Sequence, residues 1–106
     1  MGIMKLLRGP DINRGVKEFE NAAGAVLLDV RSGPEYRGGH IPGSVNLPLQ
    51  ELNRIWEILD DEQTPLYVYC HSGSRSRQAE GLLRRMGFSN VKNLGGILAY
   101  SGKVDS

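Results

Sequence analysis

The spacing of apolar residues changes several times along this chain, and each change predicts a different element. After Asn13 the apolar positions recur at helical spacing, at Val16, Phe19 and Ala23. Asn13 can cap the start of this helix and Gly24 can end it. Residues 25–30 are almost continuously apolar, which is typical of a strand covered on both faces.

The middle of the chain predicts a structured loop and then a second helix. Residues 32–48 are rich in Gly and Pro, and we expect a short strand at 44–46 within that loop. Residues 49–59 return to helical spacing. The predicted core-facing stripe is Leu49, Leu52, Ile55, Trp56 and Leu59.

A second buried strand is predicted after the charged break at 60–65. It covers residues 66–69 and leads directly into Cys70. Residues 75–86 are helical in spacing and end before Gly87, and residues 91–94 and 95–100 predict a last strand and a short helix. The apolar side of the 75–86 helix is Ala79, Leu82, Leu83 and Met86.

Strands that alternate with helices predict an α/β fold with a parallel sheet and helices on both faces. A chain of 106 residues can form one core but not two, so we expect a single domain over 1–106. Ligands in such folds bind at the carboxyl ends of the strands. Cys70 stands at such an end.

Composition and charge narrow the partners. With 13 Lys and Arg against 12 Asp and Glu the net charge is +1, and no dense basic segment indicates nucleic-acid binding. The apolar runs are far shorter than a membrane span. The first residues lack the apolar core of a secretory signal, and Leu6 does not fit a myristoylation pattern. We therefore expect a soluble, cytoplasmic protein without nucleic-acid or membrane partners.

Cys70 is the only cysteine, so it forms no internal disulfide. One Cys with two His gives no zinc spacing, and we expect neither a metal nor a cofactor. Cys70 is then either buried core or a reactive thiol. Small residues follow it, and Gly73 can adopt positive φ, so the backbone can curl around an anionic atom.

A helix that begins near Ser74 or Arg75 would turn its free N–H groups and positive end toward the Cys70 sulfur and favour the thiolate. Arg75 and Arg77 add positive charge. This setting suits a nucleophilic sulfur and an anionic persulfide. The alternative is a plain strand-to-helix turn in which Gly and Ser only permit the bend.

Three ordered motifs between residues 12 and 102 resemble the rhodanese-like family: the loop 70–76, the stretch 29–48 with its Asp-Val-Arg and Gly-His-Ile-Pro-Gly segments, and residues 91–96. The resemblance implies a five-stranded parallel α/β fold with its core at about 12–102. It also implies a thiosulfate sulfurtransferase that moves sulfur from a small anionic donor to a small-molecule or protein thiol acceptor.

By that resemblance Cys70 carries the sulfur as a persulfide and Arg75 binds the donor's anionic group. The implied cradle and substrate-binding residues are His71, Ser72, Gly73, Ser74, Arg75 and Ser76. The side chain of His71 is expected to point away from the sulfur or to line the mouth, and its role stays open.

Three other polar residues could be taken as catalytic, but a structural role is the simpler interpretation. His40 lies in the Gly-Pro-rich loop, where a ring hydrogen bond to the backbone is the expected role rather than a base for Cys70. Asp29 and Arg31 end a strand on the same side of the sheet as Cys70. For Asp29 and Arg31 the simpler interpretation is a structural ion pair, with Glu35 as a candidate participant. We expect that role for Asp29, and the role of Arg31 stays open.

Two other functions compete with sulfur transfer. Cysteine phosphatases resemble this Cys-to-Arg loop but have one residue more, whereas four residues separate Cys70 from Arg75 here. The shorter loop suits one extra sulfur better than three phosphoryl oxygens. A non-catalytic module of the same fold would usually lack the cysteine, which this chain retains.

Overall fold

The computed structural model describes residues 9–106, and its centre is a parallel sheet of four strands. The strands lie in the order β2-β1-β3-β4, and their ranges are β1 Val26–Asp29, β2 Ser44–Asn46, β3 Leu66–Cys70 and β4 Val91–Gly96. The expectation about a secretory or lipidation signal concerns residues 1–8 and lies outside the described residues. Across residues 9–106, no helix is both long enough and apolar enough to cross a bilayer.

Helices cover both faces of the sheet, as expected. Three are α-helices, α1 Ile12–Glu20, α2 Gly33–Arg37 and α3 Ser74–Arg85, and two are 3₁₀ helices, Leu49–Glu57 and Ile97–Ala99. The alternation of side chains along a strand separates two buried clusters. Leu28, Val68 and Cys70 face α3 and the first 3₁₀ helix. Leu27 and Tyr69 face α1.

The expectation of a five-stranded sheet is wrong for residues 9–106, where the sheet has four strands. The four strands coincide with the four strands that the sequence predicts, at 25–30, 44–46, 66–69 and 91–94. The chain after β4 instead forms a 3₁₀ helix and then an extended path. Its one bridge there joins Asp105 to His40, and a single pair of residues does not make a strand.

Helix α1 starts and ends earlier than the sequence predicts. Asp11, not Asn13, caps it, because the Asp11 side chain accepts a hydrogen bond from the Arg14 amide at 3.3 Å. The Asn13 side chain instead donates a hydrogen bond to the Ala99 carbonyl at 3.1 Å. Ala23 lies beyond the helix and is exposed.

The predicted helix at 49–59 is a 3₁₀ helix interrupted at Glu51. Three residues per turn place Leu52 and Ile55 on one buried side and turn the next residue away. Trp56 is therefore not part of the core-facing stripe: it is 46% exposed and stacks on Phe88 with ring centres 4.9 Å apart.

Helix α3 matches its prediction closely, with one exception on its apolar side. Ala79 and Leu83 are fully buried, and Gly87 follows the helix with a φ of 111°. Leu82, which the spacing placed in the core, is 37% exposed.

A buried ion pair fixes the loop after β1. The Arg31 Nε and Nη2 atoms donate to the two carboxylate oxygens of Asp29 at 3.0 and 2.7 Å, and Nη2 also reaches the Gly39 carbonyl at 2.7 Å. The pair is structural, as expected for Asp29, and it joins Asp29 to Arg31 without Glu35.

Removing one member of this pair should be costly. We expect Arg31→Ala to lower the free energy of unfolding by about 3 kcal/mol, because it leaves the Asp29 carboxylate buried without its partner. Arg54→Ala is the control, since the Arg54 ion pairs are exposed and should be worth about 0.5 kcal/mol. Urea unfolding of both variants measures the difference, and equal losses would contradict this assignment.

Candidate active site

The Cys70 sulfur lies inside a tight turn between the end of β3 and the start of α3. The turn depends on Gly73, whose φ of 110° is open to glycine and rarely to other residues. The Gly73 amide donates to the Cys70 Sγ at 3.0 Å, and the Ser76 Oγ lies 3.4 Å from the same sulfur. The expected start of the helix and the expected positive φ are both confirmed.

The pKa of the Cys70 thiol reflects two opposing effects. Burial raises it, since the residue is 1% exposed. Hydrogen bonds from the Ser76 hydroxyl and from the amides of Ser76, Gly73 and Arg75 lower it. The hydrogen bonds outweigh the burial, so the pKa lies below its ordinary value of 9.0 and the turn favours the thiolate.

The end of β4 forms the support of this turn. A side chain at Gly96 would overlap the His71 carbonyl oxygen and the Ser72 backbone, so only glycine allows the turn to lie so close to the strand. The Ser76 hydroxyl lies 3.1 Å from the Gly73 carbonyl and 3.3 Å from that of Gly95, which connects turn and strand.

Arg75 is held by Glu35 rather than left free. Its two terminal nitrogens donate to the two Glu35 carboxylate oxygens at 2.8 and 3.0 Å. Glu35 also belongs to a capping box at the start of α2, where it accepts from the Ser32 amide at 2.9 Å. The hydrogen bonds from Arg75 are the main reason why the pKa of Glu35 lies far below its usual range.

Glu35 is the site residue that the sequence reasoning missed. A signal was present, because Ser32 followed three residues later by Glu35 is the signature of a capping box. That signature predicts the start of α2. It does not predict the contact with Arg75, which lies 40 residues away in the chain.

The structure brings all the predicted site residues into the single turn 70–76. Ser76 is fully buried beneath the sulfur. His71, Ser72 and Ser74 are exposed at the surface of the turn.

His40 lies outside the turn and has the structural role expected of it. Its Nδ1 is 2.8 Å from the Tyr36 carbonyl oxygen, and its ring stacks on that of Tyr36. Among residues 9–106, no cluster of three or more His, Cys, Asp or Glu side chains could hold a metal ion.

These features define a class of protein: a parallel α/β fold with an activated cysteine in a tight turn at the carboxyl end of an inner strand. The model of the rhodanese-like domain family matches residues 14–103. The chain therefore belongs to the rhodanese-like family.

Individual relatives agree with this assignment. The uncharacterized protein YqhL of Bacillus subtilis is 38% identical, over 96% of this chain and 76% of the relative. The thiosulfate sulfurtransferase PspE of Escherichia coli is also 38% identical, over 66% of this chain and 68% of the relative. A solved structure of a rhodanese with anions from Escherichia coli superposes with a TM-score of 0.72 at 32% identity, covering 77% of this chain and 98% of that one.

The Ser76 hydroxyl gives the first test of this site. Ser76→Ala removes one hydrogen bond to the sulfur and should raise the pKa of Cys70, so alkylation at neutral pH should be slower than in the wild-type protein. The rate of alkylation by iodoacetamide as a function of pH measures that pKa. Ser74→Ala is the matched control, because Ser74 is exposed in the same turn. Identical profiles for the two variants would rule out a role for the Ser76 hydroxyl.

Proposed function

We propose that this protein is a sulfurtransferase in which Cys70 carries a sulfane sulfur as a persulfide, with thiosulfate as a donor. The observation that supports this most directly is the turn itself: amide and hydroxyl groups converge on one buried sulfur and lower its pKa. A thiolate is the nucleophile in sulfur chemistry, so a turn that lowers the pKa of Cys70 increases the fraction of the reactive form. The relative from Escherichia coli named as a thiosulfate sulfurtransferase supports the same reaction.

The first half-reaction loads the cysteine. The Cys70 thiolate attacks the outer sulfur of thiosulfate, a new S–S bond forms, and the S–S bond of the donor breaks. Sulfite leaves with the electron pair of that bond, and Cys70 holds a persulfide anion. Amides that stabilise the thiolate can then stabilise the negative charge on the added sulfur.

The second half-reaction unloads it. A thiophilic acceptor, either cyanide or a small-molecule or protein thiol, attacks the outer sulfur of the persulfide. The S–S bond breaks, the sulfur leaves on the acceptor, and the electron pair returns to Cys70 as a thiolate. No metal or redox cofactor takes part in this scheme. A cytoplasmic location stays an expectation.

A cysteine phosphatase is the alternative that uses a similar turn. The hydrogen-bond donors of the turn converge on one atom, the Cys70 sulfur. A phosphoryl group needs donors for three oxygens at once. The geometry therefore favours sulfur transfer.

The cysteine itself provides the direct test. Wild-type protein should produce thiocyanate from thiosulfate and cyanide, and its mass should increase by one sulfur atom after thiosulfate alone. Cys70→Ser should lose both properties, because a hydroxyl cannot form a persulfide, while its circular dichroism stays unchanged. Ready hydrolysis of aryl phosphates by the wild-type protein without thiocyanate formation would establish the phosphatase instead.

The role of Arg75 in donor binding is tested by two variants that both remove its two-nitrogen contact with the Glu35 carboxylate. Arg75→Lys keeps the charge but loses the planar fork, so the KM for thiosulfate should rise about tenfold. Glu35→Gln loses the carboxylate charge but leaves the Arg75 fork, so its KM should not rise. An equal rise in both variants would mean that the ion pair, rather than a contact with the donor, explains the effect.

A further inference from the structure

A groove of about 830 Å³ begins at the Cys70 turn and follows one face of α3. We call it the α3 groove. Ser72, Gly73 and Ser74 line its end at the turn, and Gly95 and Gly96 of β4 also border it. Along α3 it is lined by residues on successive turns of the helix: Arg77, Gly81 and Arg85.

The charge of the α3 groove is one-sided. Arg77 and Arg85 line it, and no Asp or Glu does. Within residues 9–106 neither arginine takes part in an ion pair. Eight residues of helix separate them by about 12 Å along the axis. The groove therefore suits a ligand that carries negative charges along its length.

Gly81 gives an independent indication that the groove has a role. It lies inside α3, where glycine lowers helix stability relative to alanine. A methyl group built at Gly81 meets no atom within 4 Å, so packing among residues 9–106 does not require glycine there. Because Gly81 has no side chain, the groove is wider midway between Arg77 and Arg85.

The shape of the groove favours an extended chain. β4 is an edge strand of the sheet, and edge strands can accept extended segments alongside them. An extended segment advances about 3.3 Å per residue, so acidic residues about four positions apart match the two arginines. The partly exposed Leu82 adds apolar surface to the same wall.

We propose that the α3 groove binds an extended acidic segment of a protein that accepts sulfur from Cys70. The segment places its thiol at the Ser72 to Ser74 end. There the acceptor thiolate attacks the outer persulfide sulfur, the S–S bond breaks, and Cys70 leaves with the electron pair. This inference deepens the proposed function and rests on it.

The test uses two synthetic peptides of about six residues, each with a cysteine at its first position. One carries Glu and the other Lys at the second and sixth positions. We expect the acidic peptide to accept sulfur with a KM about tenfold lower than that of the basic peptide. Arg85→Glu should reverse much of this preference. Arg54→Glu is the control, because it reverses a charge on the first 3₁₀ helix at a residue that does not line the groove.

Gly81→Ala separates the groove from the stability of the fold. It should raise the melting temperature by about 4 °C and yet raise the KM for the acidic peptide severalfold, because the methyl group narrows the groove. Thiocyanate formation from cyanide should stay unchanged in Gly81→Ala and Arg85→Glu, since cyanide needs no groove.

Failure of this proposal can be distinguished from failure of the proposed function. Loss of thiocyanate formation in the wild-type protein would refute sulfur transfer. In that case, binding of the acidic peptide to the groove can still be measured by the fluorescence anisotropy of a labelled peptide that has Ser in place of Cys. Normal thiocyanate formation with equal KM values for both peptides would overturn the groove proposal. The groove proposal would also be overturned if Arg85→Glu raised the KM for a small dicarboxylate thiol but left the KM for the acidic peptide unchanged.

Discussion

The Cys70 turn lies directly against the end of β4, and this contact requires that Gly96 carry no side chain. From it follows the position of Ser76, whose hydroxyl lies near both the Gly95 carbonyl and the Cys70 sulfur. The amides of the turn and the Ser76 hydroxyl then converge on the sulfur. The electrostatics of the site thus depend on a steric condition in a neighbouring strand.

A second constraint acts from the other side of the turn. Glu35 belongs to the capping box of α2 and also accepts hydrogen bonds from Arg75 in the first turn of α3. One carboxylate therefore connects two helices at the site. Both side chains are only partly buried, and solvent weakens their attraction. The ion pair therefore acts mainly by orienting the Arg75 fork, whereas the buried Asp29–Arg31 pair contributes to the fold itself.

Local patterns in the sequence predicted most of the fold and the centre of the site. The four strands, the start of α3 and the positive φ of Gly73 are all confirmed, because each depends on nearby residues. The errors arise where distant residues decide. The Asn13 side chain donates a hydrogen bond to the Ala99 carbonyl instead of capping α1, and the contact of Glu35 with Arg75 spans 40 residues. Trp56 turned outward because its helix is wound more tightly than spacing alone indicates.

In the sulfur transfer that we propose, the burial of Cys70 would distinguish the protein without a persulfide from the protein that carries one. With 1% of the residue exposed, the bare thiolate is withdrawn below the surface of its turn. A persulfide would extend the side chain by about 2 Å, the length of an S–S bond, so the reactive atom would no longer be the buried Cys70 sulfur itself. Without a persulfide, a passing thiol or disulfide meets a sulfur that is almost inaccessible, which disfavours unproductive mixed disulfides.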